Sequence, residues 1–200
     1  MKRLILPLFL SLAAYLPAAP IDDATFSAIM QIADREGVPL SVAARLMFEE
    51  SGDPVTLSRG DPDAIGDEAT GWPSVGLYQL HTKPENIDYL VKTHWTDRGE
   101  TGEFDIRNPR HNSTVALRYL ADLHRRFGTW YLAACYYNCG PPRWDHIAKR
   151  YLPKIIPPGT QRYARRIIYA PDPVLPREPS FDHLPEAFRA AAVAEWRMGR

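Results

Sequence analysis

Two adjacent carboxylates in the stretch RLMFEESGDP, Glu49 and Glu50, are the first residues in the chain whose type and setting could do acid-base chemistry. At about 100° per residue, a helix over residues 40 to 50 gathers Leu40, Ala43, Leu46, Met47 and Glu50 in one arc and sets Arg45 and Glu49 nearly opposite. Glu49, four residues after Arg45, fits an exposed ion pair of about 0.3 to 0.5 kcal/mol, and its replacement is expected to be nearly silent. Glu50 continues an apolar stripe, where desolvation disfavours the charged form and raises the pKa. Such a carboxyl could hand a proton to a leaving oxygen near neutral pH. A helix-end glutamate that simply reaches solvent gives the same pattern, and the helix alone leaves both readings open. Gln79 in GLYQL and the Tyr137-Asn138 pair in YYNCG could line a binding site. Taken one at a time, they fit satisfied buried polar or core residues equally well.

The elements that must position these residues are mostly helical. Residues 24 to 35 carry Phe26, Ile29, Met30 and Ala33 on one face and stop at Gly37. After the helix bearing Glu50, residues 55 to 76 are rich in Gly, Pro and Asp and read as one long loop, a length that usually signals function or disorder. Helical periodicity returns over residues 86 to 93 and strongly over 113 to 127, where Ala116, Tyr119, Leu120, Leu123 and Phe127 form a stripe before Gly128. Residues 130 to 138 form a short, nearly all-apolar helix expected in the middle of the fold, and further helices are expected over 144 to 152 and 161 to 169. Beyond Ala170, four prolines make a stiff linker over 171 to 181. Asp182 then caps a final helix over 182 to 200, with Leu184, Phe188, Ala192 and Trp196 as its stripe. That helix is expected to pack back on the domain, with binding to a cell-envelope assembly partner as the alternative.

Composition limits what the chain can be. Two hundred residues with 45% hydrophobic content suit one main domain, and 24 basic against 24 acidic residues give no charge bias toward nucleic acid. Lys2 and Arg3 precede an apolar run from Leu4 to Leu16 and the small residues Ala18 and Ala19, the pattern of an export signal over 1 to 20. The run is too short and too broken by proline for a stable membrane span after cleavage. Cys135 and Cys139 lie four apart, and a disulfide between them is left open by the helix break expected at Gly140. The six histidines are scattered, none in a ligand pair, so no metal site is expected; the DPDAIGDE segment has Ile65 at a ligand position and is not an EF-hand.

Read in order, Glu50-Ser51 closing a helix, Pro54, Ser58, GLYQL at residues 76 to 80, Asn112 with Tyr119-Leu120, and YYNCG at 136 to 140 resemble the soluble lytic transglycosylase (SLT) family. The resemblance spans residues 38 to 168. It implies a mainly α, goose-lysozyme-like single domain over 21 to 170, with a long inserted loop and the C-terminal helix as additions. It also implies cleavage of the β-1,4 bond between MurNAc and GlcNAc of peptidoglycan, without a cofactor, in the periplasm or outside the cell. Carried over by motif, Glu50 is the catalytic acid, Ser58 orients the sugar, Gln79 lines the cleft, and Tyr137 with Asn138 lies near the acid. Thr160 and Tyr163 match a late motif expected to be structural. The sequence departs from the family where Tyr78 stands for the usual methionine, counted here as substrate-binding through subsite shape. It departs again at residues 59 to 75, an insertion at the cleft that could place Trp72 against a sugar face or be a tolerated surface excursion. Asp61, Asp63, Asp67 and Glu68 could serve as a second carboxylate, so a hydrolytic muramidase is the nearest rival. An inactive peptidoglycan-binding or assembly module is the rival from another class.

Overall fold

The computed structural model describes residues 21 to 52, 60 to 66, 71 to 146 and 149 to 169. The export segment, the proline-rich linker, the final helix, Pro54, Ser58, Asp67 and Glu68 lie outside the described residues. Among those described are six helices, α1 (Asp23–Arg35), α2 (Leu40–Ser51), α3 (Pro84–His94), α4 (Pro109–Phe127), α5 (Trp130–Cys139) and α6 (Pro158–Tyr169). A small three-stranded antiparallel sheet, β1 (Ile65–Gly66), β2 (Ser74–Val75) and β3 (Leu80–His81), stands between α2 and α3, and a hairpin of β4 (Trp144–Asp145) and β5 (Arg150–Tyr151) between α5 and α6. Among the described residues no helix is long and apolar enough to cross a membrane.

α4 is the spine of the fold. The Asn108 side chain accepts from the Arg110 and His111 N–H groups, Pro109 fills the first helical position, and Gly128 at φ 79° ends the helix in the left-handed region. Val115, Leu117, Leu120 and Leu123 are wholly buried, and α4 packs against α1, α3 and α5. α5 is capped by the Thr129 hydroxyl on the Leu132 N–H and buries Ala133 to Tyr136, as its apolar sequence requires. α2 buries Val42, Ala43, Leu46 and Met47 and rests on α1 and α6.

Two expectations fail here. Residues 55 to 76 are not one loop: their described part pairs Ile65 with Val75 and Gly66 with Ser74, and β2 pairs on with β3. Strands of two residues are too short to show a period. The helix expected over 144 to 152 is a hairpin pairing Trp144 with Tyr151, their rings 4.8 Å apart, while Tyr151 also meets Phe127 of α4 at 5.0 Å. Trp144, Tyr151 and Leu152 stand seven and eight apart, which imitates a helical stripe although cross-strand aromatic packing is what places them. Cys135 and Cys139 are free thiols, both held within α5.

A charged cluster that the sequence reading missed crosses the back of α4. The buried Arg118 guanidinium donates to Glu36 at 2.9 Å, to the His94 carbonyl at 2.9 Å and to Glu100 at 2.7 Å, tying α1, α3 and the 3-10 turn that follows α3 to α4. The His94 ring is wholly buried, 3.5 Å from an Asp122 oxygen. Burial, then the charges of Arg98, Arg126, Arg118 and Arg125, holds its imidazole down at about 4. The unfolded chain therefore takes up this proton first, below its ordinary value of about 6.5. The stability of the neutral ring is complete above that value and is lost as pH falls toward about 4. We expect urea midpoints to drop across that window, and the slope to flatten in His94→Leu; an unchanged slope would remove His94 as its cause.

Candidate active site

The site is assembled around the C-terminal end of α2. Ser51 donates to the Leu77 carbonyl at 2.7 Å and receives at its own carbonyl the Asp61 N–H at 3.1 Å, so the helix end is joined to the GLYQL turn and to the start of the inserted segment. Gly60 is buried against this joint, where a Cβ would collide with the Ser51 hydroxyl. The turn itself is held from α4. Asn112 accepts the Tyr78 N–H at 3.0 Å and donates to the carbonyls of Val75 at 3.1 Å and Ile106 at 3.0 Å.

Glu50 is half-buried, and the Tyr163 hydroxyl of α6 donates to its Oε1. Tyr137 of α5 donates to the Tyr78 carbonyl at 2.7 Å. Both phenols are pushed well above their ordinary value, by burial first and then by the neighbouring Glu50 charge. They are therefore proton donors at any physiological pH. Tyr163 was expected to be structural; its hydroxyl instead touches the carboxyl that the motif marks as the acid.

A cleft of about 350 Å³ opens beside Tyr137. Gln79, His81, Tyr89, Tyr119, Tyr137 and Asn138 are among its lining residues. Gln79 sits at φ 48° and donates to the carbonyls of Ala64 at 3.1 Å and Gly76 at 2.9 Å. Its Oε1 leaves no room for a Cβ on Gly66, so the inserted β1 strand closes directly on the cleft glutamine. Asn138 accepts the Thr160 hydroxyl at 2.8 Å, which links the cleft to α6.

Two expected positions need correction. Tyr78 is wholly buried, its hydroxyl donating to the Ala43 carbonyl at 3.1 Å, so it is core between α2 and the turn rather than a residue that meets substrate. It shapes the site only through its backbone carbonyl, which holds Tyr137. Trp72, on the connection between β1 and β2, is 45% exposed and does not line the cleft; Tyr89 and Tyr119 are the aromatic residues that do. Of the candidate second carboxylates, Asp61 accepts the Asp63 N–H at 2.7 Å and Asp63 pairs with Arg107 at 3.3 Å, so both brace the inserted segment. Among the described residues no three His, Cys, Asp or Glu side chains converge as metal ligands would.

A glutamate closing a buried helix, backed by tyrosines and opening on a glutamine- and asparagine-lined cleft in a mainly α domain, defines a lysozyme-like domain that acts on glycan. The Transglycosylase SLT domain matches residues 27 to 155, well over half of the chain, and the chain belongs to that family. Its substrate is peptidoglycan, which lies outside the cytoplasm. No curated protein and no solved structure matches significantly. The match ends before α6, so Tyr163 reaches Glu50 from beyond the family span.

Proposed function

We propose that the chain cleaves the β-1,4 MurNAc–GlcNAc bond of peptidoglycan and leaves a 1,6-anhydro-MurNAc end, with Glu50 acting first as acid and then as base. The observation that carries this reading is the Tyr163 hydroxyl donating to Glu50 Oε1, because it fixes the carboxyl with a neutral donor that burial keeps protonated. A proton on Oε2 passes to the glycosidic oxygen as the C1–O bond breaks and GlcNAc leaves with its C4 hydroxyl. The same carboxylate then takes the proton of the MurNAc C6 hydroxyl, whose oxygen bonds to C1. The proton returns to Glu50, and neither water nor a second carboxylate enters. A hydrolase would need a partner carboxylate about 5 to 9 Å away. The bracing roles of Asp61 and Asp63 support the single-carboxylate route. Residues 1 to 20 serve as the export signal that brings the domain, 21 to 170, to its substrate, with Ser58, Gln79, Tyr137 and Asn138 contacting the sugars.

Digestion of purified peptidoglycan by the mature protein, followed by mass analysis of the fragments, tests the chemistry. Fragments one water lighter than reducing muropeptides are expected. Reducing ends would establish the muramidase, and intact glycan the binding module.

A further inference from the structure

α2 and α6 meet through more than the pair that touches the reacting carboxyl. Glu49 precedes Glu50 on α2, and Arg166 lies one turn after Tyr163 on α6. Arg166 Nε donates to both Glu49 carboxylate oxygens, at 2.9 and 3.0 Å, and its Nη2 adds a further bond to Oε1. Arg45, one turn before Glu49, donates to the carbonyls of Ile167 at 3.3 Å and Ile168 at 3.4 Å. The partner of Glu49 is thus 117 residues away along the chain, and its face of α2 is docked on α6 rather than bare. Two adjacent residues on one helix and two a turn apart on the other form parallel contacts, so the geometry of one constrains the other.

We propose that Glu49 and Arg166 are positioning residues, a forked ion pair that with Arg45 sets the Tyr163 hydroxyl against Glu50. This rests on the lytic reading above. The pair touches no substrate and lies on the side of α2 turned from the apolar core. Its loss lets α6 shift relative to α2, and misplacement by about 1 Å of a group that orients an acid can cost up to about 10²-fold in rate. Binding in the cleft is carried by β3, α3, α4 and α5, which the pair does not touch.

The test compares wild type, Arg166→Gln, Arg166→Lys and the charge swap Glu49→Arg with Arg166→Glu, each normalised to folded protein. Arg166→Gln is expected to lower kcat for anhydro-end release roughly tenfold with KM within about twofold. Arg166→Lys and the swap should recover most of the loss. A lower Tm with unchanged kcat, or a change confined to KM, would overturn the proposal and leave the pair as a structural tie. A second readout does not depend on turnover. In alkaline titration of tyrosine absorbance, Arg166→Gln should bring one more tyrosine into the ordinary range near about 10 than wild type, and adding Tyr163→Phe should remove it. Equal numbers in wild type and Arg166→Gln overturn the clamp even if wild type yields anhydro ends. Wild type without anhydro ends, but with the extra titrating tyrosine in the variant, sinks the lytic reading and keeps the clamp.

Discussion

Glu50→Gln is expected to lower the release of anhydro-terminated fragments by about 10³-fold or more while leaving the fold intact. The amide cannot donate a proton to the glycosidic oxygen and cannot take one from the C6 hydroxyl, so both halves of the reaction lose their acid-base group. Each such transfer contributes on the order of 10² to 10⁴ in rate. The variant keeps an oxygen for the Tyr163 hydroxyl, so the contact between α2 and α6 persists. Stability should change by no more than about 1 kcal/mol, one neutral hydrogen bond replacing a charge-assisted one. Parallel chevrons or urea melts of the two proteins check that half of the expectation, and fragment analysis the other. Glu49→Gln is the control. It weakens the ion pair to Arg166 and should cost roughly tenfold rather than 10³-fold. Equal losses at the two glutamates would mean that the carboxyl engaged by Tyr163 is not the one that moves the proton.

The contrast between these glutamates shows what a single sequence can and cannot carry. Helical phase separates Glu50 from Glu49 because Ala43, Leu46 and Met47 form a stripe, and burial follows that stripe. Phase gives a face but not the neighbour on it: that Arg166 meets Glu49, or that Tyr163 meets Glu50, depends on how α6 docks after more than a hundred intervening residues. The long helices were legible for the same reason, with α1, α2 and α4 bounded by caps, glycine and continuous periodicity. The β-ribbons were not, since their pairing is fixed by cross-strand contacts such as Trp144 on Tyr151 and by Asn112, none of which leaves a local pattern. Motif order brought Gln79, Tyr137 and Asn138 to one cleft, while Tyr78, next to Gln79 in the same motif, is turned into the core. Adjacent residues of a turn point in different directions, and Gln79 at φ 48° adds a bend that no spacing rule anticipates.

Asn112→Ala is expected to be among the most destabilising single changes in the domain, by about 3 to 5 kcal/mol. The side chain is 1% exposed and satisfies three backbone groups that have been withdrawn from water, the Tyr78 N–H and the carbonyls of Val75 and Ile106. Truncation strands all three, each at about 1 to 3 kcal/mol with some relief from relaxation. Asn112→Asp keeps the acceptor for Tyr78 but turns an anionic oxygen toward two carbonyls, so it should be no better tolerated than alanine. Gly76→Ala attacks the same joint from the other side: its φ of 85° suits glycine, and a Cβ would collide with Asn112 Nδ2 and come within 2.8 Å of the Ile106 carbonyl. The consequence reaches the chemistry because the turn that Asn112 pins supplies the Leu77 carbonyl to Ser51, the Tyr78 carbonyl to Tyr137, and Gln79 to the cleft. Urea midpoints and fragment release should therefore fall together in Asn112→Ala. A loss below about 1 kcal/mol would show that the turn holds without Asn112, and lost stability with unchanged turnover per folded molecule would show that Ser51 and Tyr137 do not depend on it.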